Sequence, residues 1–225
     1  MTNTIINKLF GENIYRKLFL ILGVFLQIIV YILSKETSWI SLFSGITGIF
    51  AVVLCAERNM IYYLFAWPQL ISYVYLAYQQ KLYGEIYENI FYAITMVIGM
   101  IIWYRHLSSL KDNEYKVKAK QLSKKSLYII SILTGFIILC LYIYLNNTDD
   151  TQPFMDSITT VPAFVAQILL TFRYREQWIF WSIINVGSIF MWANAHDYCM
   201  VAQYIFWTVN CMLGYYSWSK NLKIK

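Results

Sequence analysis

Trp178, Trp181 and Asn185 stand at i, i+3 and i+7, so a helix through them carries two indole rings and an amide on one face. Indole walls suit a flat base, and an amide can fix its orientation through hydrogen bonds, as in apolar pockets with few polar groups. Each residue also has a plainer role. Tryptophan is a common interfacial anchor, which is the alternative for Trp178. A buried amide can hydrogen-bond a neighbouring helix, worth only ~0.6 kcal/mol in membranes, which is the alternative for Asn185. Further candidates are Gln167 in "FVAQ", Glu88 and Asn89 in "YGEIYENIFY", Gln203, Asn210, and Gln69 beside Pro68 at a possible helix break. A carboxylate within an apolar span is costly, so Glu88 counts as functional, in binding or as a solvated gate.

Bond-breaking chemistry finds little support. His106 and His196 are the 2 histidines of the chain, and the topology below puts them on opposite faces of a membrane. No Ser-His-Asp set, metal-ligand spacing or phosphate loop occurs. Neither a cofactor nor a metal is expected. The 4 cysteines fit neither a metal site nor a disulfide framework, and core packing is their expected role. With 8 Trp, 20 Tyr and 14 Phe, an isolated aromatic residue says nothing by itself.

The elements that position these residues are membrane spans. Apolar residues make up 59% of the 225-residue chain and charged residues 13%. So few charges cannot solubilise so much apolar surface, and uncharged runs near the ~20 residues needed to cross hydrocarbon repeat along the chain. Eight spans are predicted, near 17–34, 39–56, 60–79, 85–104, 126–145, 156–172, 177–194 and 198–217. The first lacks a small-residue cleavage site after it and is read as a span, not a signal peptide. Lys and Arg of short loops favour the cytoplasm. Placing the basic segment 105–125 inside leaves only Lys35 and Lys81, of the 18 Lys and Arg, outside. Both termini are then cytoplasmic. The net charge of +6 thereby reflects topology, and no nucleic-acid partner is expected. The glycosylation-like "NNT" at 146–148 carries no weight.

An internal repeat emerges at an offset of 115 residues. Arg58, Phe65, Tyr83, Gly99 and Trp103 meet Arg173, Phe180, Tyr198, Gly214 and Trp218, and Glu88 meets Gln203. The chain then divides into an arm and extra helix (1–38), a first three-helix repeat (39–104), a basic loop (105–125), a linking helix (126–145) and a second repeat (156–218). An odd linking helix makes the repeats parallel, and repeat interfaces near the midplane are where transporters place substrates. The expected fold is an all-α integral membrane protein of eight helices, arranged 1 + (3+1+3), with a SWEET-like architecture.

"YGEIYENIFY", "FMDSITTVPAFVAQILLTFRYREQWIFWSIINVGSIFMW" and this layout resemble the PnuC family of bacterial transporters of vitamin-related nucleosides, over about residues 39–220. The resemblance implies nicotinamide riboside as substrate, carried by facilitated diffusion across the bacterial inner membrane and retained by phosphorylation. A cytoplasmic nucleoside kinase is then a functional partner, alongside membrane lipids and further copies of the chain in a homo-oligomer. Gln167 matches the family within "FVAQ", and Asn89 stands where relatives carry glutamine. The first repeat departs from the pattern: "AWPQLISY" keeps Trp67 and Pro68 of the expected "WNWP…N" but has Tyr73 at the asparagine position. Transport of a deoxynucleoside or thiamine therefore stays open, and a membrane receptor is a third alternative.

Overall fold

The computed structural model describes residues 14–33, 38–79, 83–110, 116–148, 153–194 and 198–223. They form eight helices: α1 (Ile14–Leu33), α2 (Trp39–Ala56), α3 (Tyr62–Gln79), α4 (Tyr83–Leu110), α5 (Lys124–Leu145), α6 (Pro153–Thr171), α7 (Gln177–Asn194) and α8 (Tyr198–Lys223). The all-α, eight-helix class expected from the spans is what the chain adopts. Helices α4 and α8 run about six residues past their apolar spans, so Arg105–Leu110 is helical rather than loop. Hydropathy marks where hydrocarbon ends, whereas backbone hydrogen bonds continue into the polar region without penalty.

Among the described residues, five segments are both long and apolar enough to cross a membrane: Ile14–Leu33, Trp39–Ala56, Glu88–Ser108, Lys124–Leu145 and Pro153–Thr171. Helix α7 contributes a shorter apolar stretch, Gln177–Phe190. The Tyr, Trp, Gln and Asn content of α3 and α8 lowers their hydropathy, since those residues carry polar tips on apolar bodies. Large apolar side chains are exposed along every helix, and α5 buries only Thr134 while Ile129, Ile132, Leu133, Phe136, Leu139 and Ile143 face outward. An apolar exterior of this extent requires lipid. No helix breaks at Gln69: α3 continues through Pro68, as α6 does through Pro162.

The chain divides into two compact units, Met1–Lys118 and Ala119–Lys225. In the first, α2 packs on α3, with α1 against α2 and α4 against α3. Helix α1 is held by the buried Arg16, whose Nε meets Glu57 Oε1 at 2.8 Å. The Gln27 amide lies over Gly45, so close that a Cβ there would meet its Nε2. In the second unit, α7 packs on both α6 and α8, and α5 lies against α6.

The same local devices occur at the 115-residue offset. Helices α2 and α6 end on Arg58 (φ 61°) and Arg173 (φ 66°), left-handed positions where glycine is usual. The Asn59 and Tyr174 N–H groups donate back to Leu54 and Leu169 O at 3.0 and 2.8 Å, and Arg58 and Arg173 N–H donate to Cys55 and Leu170 O. Both ends are Schellman closures, which satisfy carbonyls that a helix end leaves free. In the first unit, Val117 N–H donates to Arg58 O (3.0 Å) and Arg58 Nη1 to Val117 O (3.1 Å). In the second, Lys120 N–H donates to Arg173 O (2.8 Å) and Arg175 N–H to Lys120 O (2.9 Å). The Tyr63–Trp103 rings meet edge-on at 5.7 Å and 80°, and Trp178–Trp218 at 6.0 Å and 81°.

Candidate binding site

Helix α7 opens with a network that sets its register. Glu176 is 1% exposed, yet both carboxylate oxygens are used. Oε1 accepts from Arg175 Nη2 (3.0 Å) and Oε2 from Leu122 N–H (3.1 Å). Arg175 also donates to Ser219 Oγ at 3.3 Å and lies 4.8 Å over the Tyr215 ring. Asn221 Oδ1 accepts from Ala119 N–H (3.0 Å). Residues 119–122 are thus tied to the start of α7 and the end of α8. Burial pulls the nearby Arg173 guanidinium below its ordinary pKa, against a smaller opposing contribution from Tyr174.

Two members of the aromatic–amide face turn toward α8. Trp178 is 4% exposed and packs across Gly214, where a Cβ would approach its ring to 2.6 Å. An interfacial anchor would leave its ring among headgroups, so the surroundings of Trp178 are those of a packed residue. Asn185 is buried, and its Nδ2 donates to Cys211 Sγ at 3.3 Å. Sulfur is a weak acceptor, so the amide keeps most of its hydrogen-bonding capacity. Trp181, between them on the helix surface, is half-buried.

Gln167 on α6 and Asn210 on α8 are buried, the latter beside Cys211, and Gln203 is half-buried. These residues and the α7 face all belong to the second unit. Glu88, Asn89 and Gln69 belong to the first. Asn89 is buried, Glu88 is half-buried and accepts from the Tyr92 hydroxyl one turn on, and Gln69 lies along α2 at Gly48.

Sequence reasoning overlooked Cys211 as the partner of Asn185, and the ion pair of half-buried Arg175 with buried Glu176. It also passed over Gln177, which is 0% exposed with neither Oε1 nor Nε2 hydrogen-bonded among the described residues. The charge cluster "RYREQ" at the mouth of an apolar helix was the available signal. Among the described residues, no group of three His, Cys, Asp or Glu could hold a metal ion.

Comparison with known proteins places this architecture. The model of the nicotinamide mononucleotide transporter family matches residues 38–220. The chain is 31% identical over 215 residues to the nicotinamide riboside transporter PnuC of Haemophilus influenzae, covering 95% of this chain and 93% of that one. It is 28% identical over 222 residues to the PnuC of Neisseria mucosa, covering 95% and 84%. A crystal structure of the vitamin B3 transporter PnuC superposes with a TM-score of 0.80 at 28% identity, covering 96% of each chain. The chain belongs to the nicotinamide mononucleotide transporter family, the PnuC family, and is a multi-pass membrane transporter rather than an enzyme.

Proposed function

We propose that this transporter carries nicotinamide riboside into the cell by facilitated diffusion across the bacterial inner membrane, with both termini in the cytoplasm. The relatives named above are nicotinamide riboside transporters. The observation in this chain that carries the reading is the α7 face, on which Trp181 and the buried amide of Asn185 stand side by side. A half-buried indole can stack on the pyridinium ring while the amide takes a polar substituent. Gln167, Asn210, Gln203 and Trp178 in the second unit, with Glu88, Asn89 and Gln69 in the first, are the further substrate-binding candidates.

Each unit holds a three-helix repeat preceded by one more helix; the matched ends at Arg58 and Arg173 and the matched ring pairs support this. With the linking segment inside, positive charge gathers on the cytoplasmic side. No chain of carboxylates suited to proton relay is readable, so accumulation falls to a cytoplasmic nucleoside kinase. The transporter works as a homo-oligomer among membrane lipids. A second reading is transport of thiamine or a deoxynucleoside, favoured by Tyr73 in place of the family's asparagine.

Calorimetric titration of the purified protein with nicotinamide riboside, thiamine, riboflavin and deoxyadenosine tests the assignment, together with uptake into vesicles containing only this protein. Tightest binding and saturable uptake of nicotinamide riboside are expected. Binding of thiamine or deoxyadenosine in its place would move the assignment to the second reading, and binding without uptake would indicate a receptor.

A further inference from the structure

Gln177 is the first residue of α7 and is fully buried. Its Oε1 and Nε2 both lack a hydrogen-bond partner among the described residues, as does Nε1 of the adjacent Trp178. Buried amides nearly always find partners, because water is not there to replace them. The neighbouring Glu176 illustrates the contrast: its oxygens accept from Arg175 and Leu122, which anchors the backbone just before Gln177. At 3.6 residues per turn, Gln177, Trp181, Asn185 and Trp178 fall within an arc of roughly 100°. Gln177 therefore lies on the aromatic–amide face, one turn before Trp181, at the start of α7.

We propose that Gln177 is a further substrate-reading residue, whose amide pairs with a carboxamide, or an equivalent donor–acceptor edge, on the base of the transported nucleoside. This rests on the proposed function and adds a specificity determinant to it. A glutamine amide offers one acceptor and a donor side by side in a plane. A ligand amide presents the complementary pair. A ligand carboxylate presents only acceptors, so one of its oxygens opposes Oε1 and that pairing is lost. Gln177 is thereby a selector of amide over acid.

The test measures binding of nicotinamide riboside and of its carboxylic acid analogue to the parent, Gln177→Met and Gln177→Leu, each checked for folding by thermal melting. The parent should prefer the amide by about tenfold or more, because a site built to hydrogen-bond a group rejects an analogue lacking it. Both variants should lose about tenfold in affinity for the amide, with the ratio of the two ligands falling toward one. A purely structural Gln177 predicts otherwise. Either apolar variant would then melt higher, having shed an unpaired amide, and would leave the ratio unchanged; that result overturns the proposal. A parent without preference for the amide overturns it even if neither variant folds. If the parent binds deoxyadenosine instead, nicotinamide as cargo falls separately, and deoxyadenosine against deoxyinosine supplies the same amino-to-oxo comparison. A parent that binds no nucleoside defeats both.

Discussion

Gly214→Ala probes the packing that fixes the aromatic face. A Cβ at Gly214 would lie 2.6, 2.7 and 2.8 Å from Cε2, Cζ2 and Cδ2 of Trp178. Favourable carbon contacts lie at about 3.5–4.0 Å, so the ring or the helix must yield by about 1 Å. Trp178 has little room to do so, since it is 4% exposed and packs at right angles against Trp218, with ring centroids 6.0 Å apart. Overpacking of this kind costs about 1–3 kcal/mol. Against it stands the gain of about 1 kcal/mol from replacing glycine by alanine inside a helix. The net change in the parent should be destabilising. In a Trp178→Leu background the clash is gone, and the same Gly214→Ala change should stabilise by about the propensity gain. The assay is thermal melting of the four detergent-purified proteins of this double-mutant cycle. A change of sign between the backgrounds, equivalent to a coupling of about 1–3 kcal/mol, is expected for residues in direct contact. Additive effects would refute the close approach of α8 to Trp178.

Three more outcomes are expected. Trp181→Ala should weaken binding of the preferred nucleoside by about 1–3 kcal/mol, the scale of base–aromatic stacking, with part recovered in Trp181→Phe; Asn185→Leu should also reorder affinities among nucleosides. Unchanged calorimetric titrations for folded Trp181→Ala and Asn185→Leu would reduce this face to packing. In proteoliposomes, imposed proton or Na⁺ gradients should leave the final substrate level at the outside concentration, and gradient-driven accumulation would contradict facilitated diffusion. In a background free of other reactive cysteines, Asn147→Cys should react with impermeant reagents from outside and Lys118→Cys should not; the opposite pattern would invert the topology.

The helix content and the class of protein were legible in sequence because both rest on local composition. A run of apolar residues long enough to cross hydrocarbon must satisfy its backbone within itself, and a helix does so. The eight spans therefore fell within a few residues of the helices, apart from the longer C-terminal ends of α4 and α8. The correspondence of Arg58 with Arg173, and of Trp103 with Trp218, was visible for the same reason, as a pattern along one chain. The α7 face was legible as well, since three side chains spaced by helical periodicity share a face whatever the helix packs against.

Other features depended on which helix lies opposite. Sequence could not say that Trp178 and Asn185 turn to α8 while Trp181 is half-buried, because an apolar helix has no hydrophilic side to orient it in lipid. Cys211 gave no sign of being the acceptor for Asn185, nor Gly214 of being the notch for an indole. The left-handed Arg58 and Arg173 were hidden, since arginine is an uncommon choice there and the Schellman hydrogen bonds that close each helix end appear only in three dimensions. Residues 116–122 belong to the segment read as a basic loop, 105–125, yet Val117 is fully buried and Leu122 N–H donates to Glu176. Composition alone determined that this chain lives in a membrane as a bundle of helices. Only the tertiary structure decided which polar groups are satisfied and which, like the Gln177 amide, find no partner among the described residues, because a hydrogen bond depends on a few tenths of an ångström between atoms far apart in the chain.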